Sequence, residues 1–229
     1  NRKFLPDSIA KHEIRTTFIQ KIPGSQRHYL KLLPLMPIAL EQLDLSEFDL
    51  VISNESGPAK GVITRSDALH ICYCFSPMRY LWDMYPEYLK SSNFLIRLFM
   101  VPCFHYLRLW DVATANRVDN FLTISHAVKA RVKRWWKRDS EVLYPPVDLD
   151  RLEATSDDGF MSPFGDEPYY VYLGALVPYK RADLAIDVCR NLGKNLLVIG
   201  NGSEFKKLKE FPEDNIKFIT NADDKLVKQ

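Results

Sequence analysis

Residues 169–209 read YYVYLGALVPYKRADLAIDVCRNLGKNLLVIGNGSEFKKLK, and this run decides the fold. Tyr169–Leu173 is a compact β-prone stretch that Gly174 ends. Pro178-Tyr179-Lys180-Arg181 follow, and then Ala182, Ala185, Ile186 and Val188 recur at helical spacing. Leu196–Ile199 is a second apolar run of strand length, closed by Gly200-Asn201-Gly202, and Glu204–Lys209 opens another helix. Strand, helix and strand in this order predict a βαβ unit, hence a parallel sheet with its ligand crevice beyond the carboxyl ends of the strands. Lys180 and Arg181 stand where the first strand hands over to its helix, a position that suits a bound anion such as a phosphate.

Before this unit the chain alternates strand and helix again. Lys11–Ile22 has the alternation of a strand (Ile14, Thr16, Phe18), and Arg27–Leu43 is helical but broken by Pro34 and Pro37. Phe48–Ser53, His70–Phe75 and Asn120–Ser125 read as buried strands, and Val142–Tyr144 as a short one. His126–Lys137 reads as a helix with Ser125 as its N-cap. Polar and Pro/Gly-rich residues 151–168 form a linker, which predicts an N-terminal Rossmann-like lobe over residues 1–150 and a second over 169–229. The second lobe has about three strands where an open α/β lobe commonly has four to six, so it is expected to be truncated.

The 229 residues carry a net charge of only +2, but the balance is uneven. Arg79–Arg138 holds 11 Lys/Arg against 4 Asp/Glu, whereas Asp139–Gln229 holds 11 against 17, which predicts two lobes with different partners. No run of 18 apolar residues is present, and Asn1–Ala10 has no signal-peptide pattern. Cys72, Cys74, Cys103 and Cys189 have neither disulfide-framework nor metal-site spacing, and they are expected to be reduced thiols of a cytoplasmic protein.

Five stretches occur in a telling order: NESGPAKGV (Asn54–Val62), HICYCFSPMRYLWD (His70–Asp83), TISHAVKARVKR (Thr123–Arg134), VLYPPVDLDR (Val142–Arg151) and YLGALVPYKRADLAI (Tyr172–Ile186). Together they resemble the GT-B glycosyltransferases of family 4, above all the mannosyltransferase-type members that build bacterial polysaccharides and lipopolysaccharide O-antigens. The resemblance implies two Rossmann-like lobes and a retaining transfer of a hexose, with mannose from GDP-mannose the first expectation. It implies a glycan or lipid-linked acceptor on the N-terminal lobe, a nucleotide sugar on the C-terminal lobe, and neither metal nor other cofactor. The donor diphosphate is then expected on the loop Gly174–Arg181. Where the family commonly has an arginine just after the glycine, this chain has Ala175; where it has a histidine beside the transferred sugar, this chain has Phe75. A GT-B epimerase or phosphorylase, or a GT-B scaffold that binds without turnover, are the alternatives.

Transfer from a nucleoside diphosphate needs the growing negative charge of the leaving group stabilised, and without a metal this falls to Lys, Arg and helix N-termini. Gly174, Lys180 and Arg181 are therefore the candidate diphosphate contacts, and Gly200, Asn201 and Gly202 a candidate nucleotide loop, although Lys180 also suits a solvated helix start and the glycine loop an ordinary β–α turn. Phe75, Ser76 and Arg79 are expected to line the N-terminal side of the cleft. No catalytic residue is assigned. Glu55 and His126 are candidates, the first otherwise a plain loop carboxylate and the second otherwise a helix-start histidine. Asn93–Trp110 and Val132–Arg138 mix aromatics with cations, which fits either core helices or a peripheral contact with anionic lipid at the inner face of the cell membrane. No nucleic-acid motif is present, and no nucleic-acid partner is expected.

Overall fold

The computed structural model describes residues 7–25, 29–147, 161–210 and 214–220. The chain divides into two compact units, Asn1–Pro146 and Val147–Gln229. Of the linker expected at 151–168, residues 151–160 lie outside the described part. Both units are mixed α/β with parallel sheets, consistent with the Rossmann-like class read from the sequence.

In the first unit β1 (Leu50–Glu55), β2 (Leu69–Cys74), β3 (Asn120–Thr123) and β4 (Glu141–Val142) pair in parallel in chain order. The register sets Leu50 opposite Leu69 and Ile71 opposite Asn120. Because side chains alternate along a strand, this register puts Ser53, Glu55, His70, Cys72, Cys74, Phe121 and Thr123 on one buried face. Leu50, Ile52 and Leu69 lie on the opposite, exposed face. Helix α1 (Met36–Glu41) follows a 3-10 stretch, Tyr29–Leu35, so the segment is broken at its prolines as expected. Helices α2 (Tyr85–Ser91), α3 (Phe94–Thr114) and α4 (His126–Trp136) complete the unit. The Asn93 side chain caps α3 by accepting from Ile96 N, and Ser125 caps α4 by accepting from Val128 N. Val128, Val132 and Trp136 of α4 pack on Cys72, Cys74 and Phe121.

One expectation for this unit needs correction. Lys11–Ile22 is not a strand. It runs irregularly into a 3-10 turn, Phe18–Lys21, whose end is closed by Ile22 N on Ile19 O at 3.1 Å. Arg15 bonds Glu13, Glu47 and the Asp44 carbonyl, and among the described residues no strand pairs with this segment. For Val132–Arg138, where a core helix and a lipid contact were both open, the tryptophans take the core side. Trp136 is buried and Trp135 stacks on Trp82 with ring centroids 4.7 Å apart, because both sit on the core side of α4.

In the second unit β5 (Tyr169–Leu173), β6 (Asn195–Ile199) and β7 (Ile216–Ile219) pair in parallel in that order. β6 is central, and Leu196 through Ile199 are all buried, as befits an interior parallel strand. Helix α5 (Ala182–Asn191) lays Ala182, Ile186 and Cys189 on Leu196, Val198 and Ile216. Val188 faces solvent, since the buried stripe runs through Ala182, Ile186 and Cys189. Helix α6 (Phe205–Leu208) packs Phe205 edge-on to Phe218.

Candidate functional site

In the second unit the loops that leave β5 and β6 are joined by backbone hydrogen bonds. Gly174 N donates to Ile199 O (3.0 Å), Leu176 N to Asn201 O (3.0 Å) and Glu204 N to Leu176 O (2.9 Å). This zipping sets the glycines. A Cβ on Gly200 would stand 1.9 Å from Gly174 O, and one on Gly202 would stand 2.2 Å from Leu176 O. Both are glycines because two backbones touch there, a sufficient reason that involves no ligand. Gly174 has room for a side chain, its nearest neighbour at 3.7 Å being Tyr172 Oη. Asn201 Oδ1 accepts from Gly202 N at 2.8 Å.

Leu176, fully buried, pins the β5 loop into the core. Beyond it Pro178–Lys180 make a 3-10 turn, and Arg181 takes a left-handed conformation (φ 53°) to start α5. Lys180 is exposed, and Tyr172 Oη donates to its carbonyl at 3.3 Å. Arg181 is turned onto its own helix, where its guanidinium holds both oxygens of Asp183 at 2.9–3.1 Å. That pairing pushes the Arg181 pKa up and holds the Asp183 carboxyl below the usual range. Asp183 lies in the first turn of α5, so a protein carboxylate already stands where an anion would meet the helix N-terminus. The small crevice between the loops has Asp183 and Glu204 on its walls beside Leu176, Pro178 and Ala182. Of the three expected diphosphate contacts, Lys180 is thus the cation that stands out from the loop.

In the first unit the carboxyl ends of the strands carry Glu55, Phe75, Ser76 and His126. Phe75 N and Ser76 N both donate to the Glu55 carbonyl, at 2.7 and 3.4 Å. Phe75 is partly exposed and sets its ring edge-on to Tyr73, 5.2 Å between centroids. Ser76 Oγ donates to Pro77 O at 2.9 Å, and Arg79 is half-buried in the turn before α2. His126 is exposed at the first position of α4, its ring edge-on to Tyr144 at 6.5 Å. β3 and β4 are neighbours, so His126 and Tyr144 meet at one sheet end.

The Glu55 side chain points the other way, into the sheet's buried face, with no exposed surface. Its Oε2 accepts from Lys60 N at 2.6 Å and its Oε1 faces Lys60 Nζ at 3.5 Å. Lys60 Nζ is bonded closely to Asp111, whose other oxygen accepts from Trp82 Nε1 and Trp136 Nε1, each at 2.8 Å. The ammonium also lies 4.2 Å from the centre of the Trp136 ring. Burial pushes the Glu55 carboxyl up to about 7 against the pull of Lys60. Burial works to lower the Lys60 pKa, but Glu55 and Asp111 outweigh it and the ammonium is held. Trp110 lies directly on Gly61, where a Cβ would come within 2.1 Å of the indole, and donates to Glu41 at 2.9 Å. The stretch Asn54–Val62 is therefore built around this enclosed ion group. In this arrangement Glu55 contacts Lys60 and no surface.

His70 is also enclosed. Its Nδ1 lies 3.2 Å from Arg117 O, which can only accept, so Nδ1 carries the proton and Nε2 accepts from Ser53 Oγ at 3.0 Å. Burial lowers its pKa, which keeps the ring neutral. Cys72 and Cys74 share the same buried face, and burial pushes the Cys72 thiol up to about 12 and Cys74 higher still. Such thiols are unreactive.

Sequence reasoning missed Lys60, Asp111 and Asp183. Asp111 had a signal, because it continues the buried spacing Phe104, Leu107, Asp111, Thr114 along an apolar helix. A charge on such a stripe needs a buried partner.

No protein-family model matches the chain. It is similar to a protein named as an uncharacterized glycosyltransferase from Methanocaldococcus jannaschii, with 28% identity over 103 residues. The match covers 45% of this chain and 26% of that protein, so it spans about a quarter of the relative's length.

Proposed function

We propose that this chain belongs to a retaining glycosyltransferase of the GT-B type, working in the cytoplasm. It would transfer a hexose, first of all mannose from GDP-mannose, to a glycan or lipid-linked acceptor in surface polysaccharide synthesis. The similarity to a protein named as a glycosyltransferase is the observation that carries the transferase reading. The parallel α/β architecture of both units agrees with it. The donor reading rests on Lys180, an exposed cation on the loop between β5 and α5, where a leaving diphosphate would gain most from a fixed positive charge. Partly exposed Phe75 and exposed His126 and Tyr144 offer an acceptor side at the strand ends of the first unit.

Calorimetry of the full-length protein with GDP and UDP tests the donor site. Binding that Lys180→Ala weakens several-fold supports it, and unchanged affinity in that variant removes Lys180 from the site. Incubation with donor and candidate acceptors, followed by analysis of the anomeric linkage, tests the transfer. Turnover of donor without acceptor would point instead to an epimerase. A second reading, a GT-B scaffold that binds without turnover, is favoured by the Arg181–Asp183 pairing and by Ala175 in place of an arginine, which leave the loop with little positive charge besides Lys180.

A further inference from the structure

Helix α3 packs on the core from Met100 onward, and its first turns do not. Phe104, Leu107, Asp111 and Thr114 are buried, whereas Phe94, Leu95, Leu98 and Phe99 each expose 67–77% of their surface and Ile96 exposes half. At 3.6 residues per turn those five side chains fan over about 200° of the helix circumference. Further along, Tyr106 and Leu109 continue the exposed apolar side. The charges of the helix avoid it: Asp111 is buried, and Arg108 turns back to the Leu81 carbonyl and lies 4.6 Å from the Tyr85 ring centre. Exposed apolar surface of this extent marks a contact. A face of Phe, Leu and Ile flanked by cations is the composition of a helix that lies in a bilayer interface. Among the described residues no helix is long and apolar enough to cross a membrane, so the helix would lie in the interface.

The cations are placed to match. Arg97 is exposed at the flank of the apolar turns and donates to the Lys90 carbonyl at 3.1 Å, which brings its guanidinium to the end of α2 where Lys90 is also exposed. Both belong to the segment Arg79–Arg138, with 11 Lys/Arg against 4 Asp/Glu. We propose that the first two turns of α3 insert side-on into the interfacial region of an anionic lipid bilayer, with Lys90 and Arg97 at the headgroup phosphates. The tryptophans of Val132–Arg138, turned to the core, play no part in this surface. Phe94, Leu95, Leu98 and Phe99 take their place. This inference stands apart from the proposed glycosyl transfer, since vesicle binding is measured without donor or acceptor.

The test is sedimentation of the full-length chain with phosphatidylcholine vesicles, with and without phosphatidylglycerol. The wild type should pellet with the anionic vesicles, and Arg97→Gln should weaken that binding about five-fold, the contribution of one basic residue near such a surface. Leu95→Ser combined with Phe99→Ser, both at exposed positions, should lower binding at least tenfold with an unchanged thermal unfolding midpoint. A polarity-sensitive fluorophore on Phe99→Cys should shift to the blue when anionic vesicles are added. Equal pelleting of wild type and double variant, or a label that stays in water, overturns the proposal. So does a wild type that self-associates without binding vesicles and becomes monomeric in the double variant, which would assign the surface to a second copy.

Discussion

Lys60, in the loop after β1, holds its ammonium against Asp111 in α3, 51 residues further on, and the two side chains are fully enclosed. The pair ties the strand-end loop of the first unit to the helix whose far end projects into solvent. Glu55 completes the group from the last position of β1. One cation between two carboxylates out of water is stable only while each member keeps its partners.

Replacing Lys60 by Met removes the cation and strands two buried carboxylates. The first unit should lose on the order of 3–5 kcal/mol, read as a lower midpoint in urea unfolding. A loss below about 1 kcal/mol, the scale of an exposed pair, would mean that the group is not sealed from water as described.

Glu55 makes stability depend on pH. Its folded pKa of about 7 lies above the ordinary 4.5, so the folded state binds the extra proton between those values. The contribution is fully present below about 4.5 and is lost as pH rises to about 7, on the order of a few kcal/mol. Glu55→Gln, neutral at every pH, should flatten unfolding free energy across this window. An unaltered slope would assign the dependence to other groups.

The zipped loops of the second unit make opposite predictions for two neighbouring glycines. Gly200→Ala places a Cβ 1.9 Å from the Gly174 carbonyl, a backbone atom that cannot swing aside, and should cost at least about 2 kcal/mol. Gly174→Ala meets only ordinary contacts and should stay within about 0.5 kcal/mol of the parent. Equal effects in thermal melts would show that the loops part easily.

Asp183 competes with any anion for Arg181. Asp183→Asn should release the guanidinium and tighten binding of a nucleoside diphosphate, whereas Arg181→Ala in the parent should change affinity little. Isothermal titration distinguishes the cases. A strong loss in Arg181→Ala would instead mean that Arg181 leaves Asp183 when ligand arrives.

Most local patterns were legible. Tyr169–Leu173 is a strand over the residues that its composition predicts, and Ser125 caps its helix as its position before an amphipathic run predicts. These are properties of a few consecutive residues, and spacing reports them directly. Lys11–Ile22 shows where that ends, since alternation describes a strand only if a neighbour exists to pair with it. Glu55, Arg181 and the glycine loop show the same for function. Read singly they are a strand-end carboxylate, a helix-start cation and a flexible turn, and each role depends on what stands opposite. Lys60 and Asp111 enclose Glu55, Asp183 occupies Arg181, and the Gly174 and Leu176 carbonyls fill the space beside Gly200 and Gly202. The run Tyr169–Lys209 by itself determined a parallel βαβ unit, because hydrophobic period is a local quantity. Which of its charges faces solvent, and which is already neutralised, was decided only by tertiary structure, because electrostatic partners are chosen by distance in space.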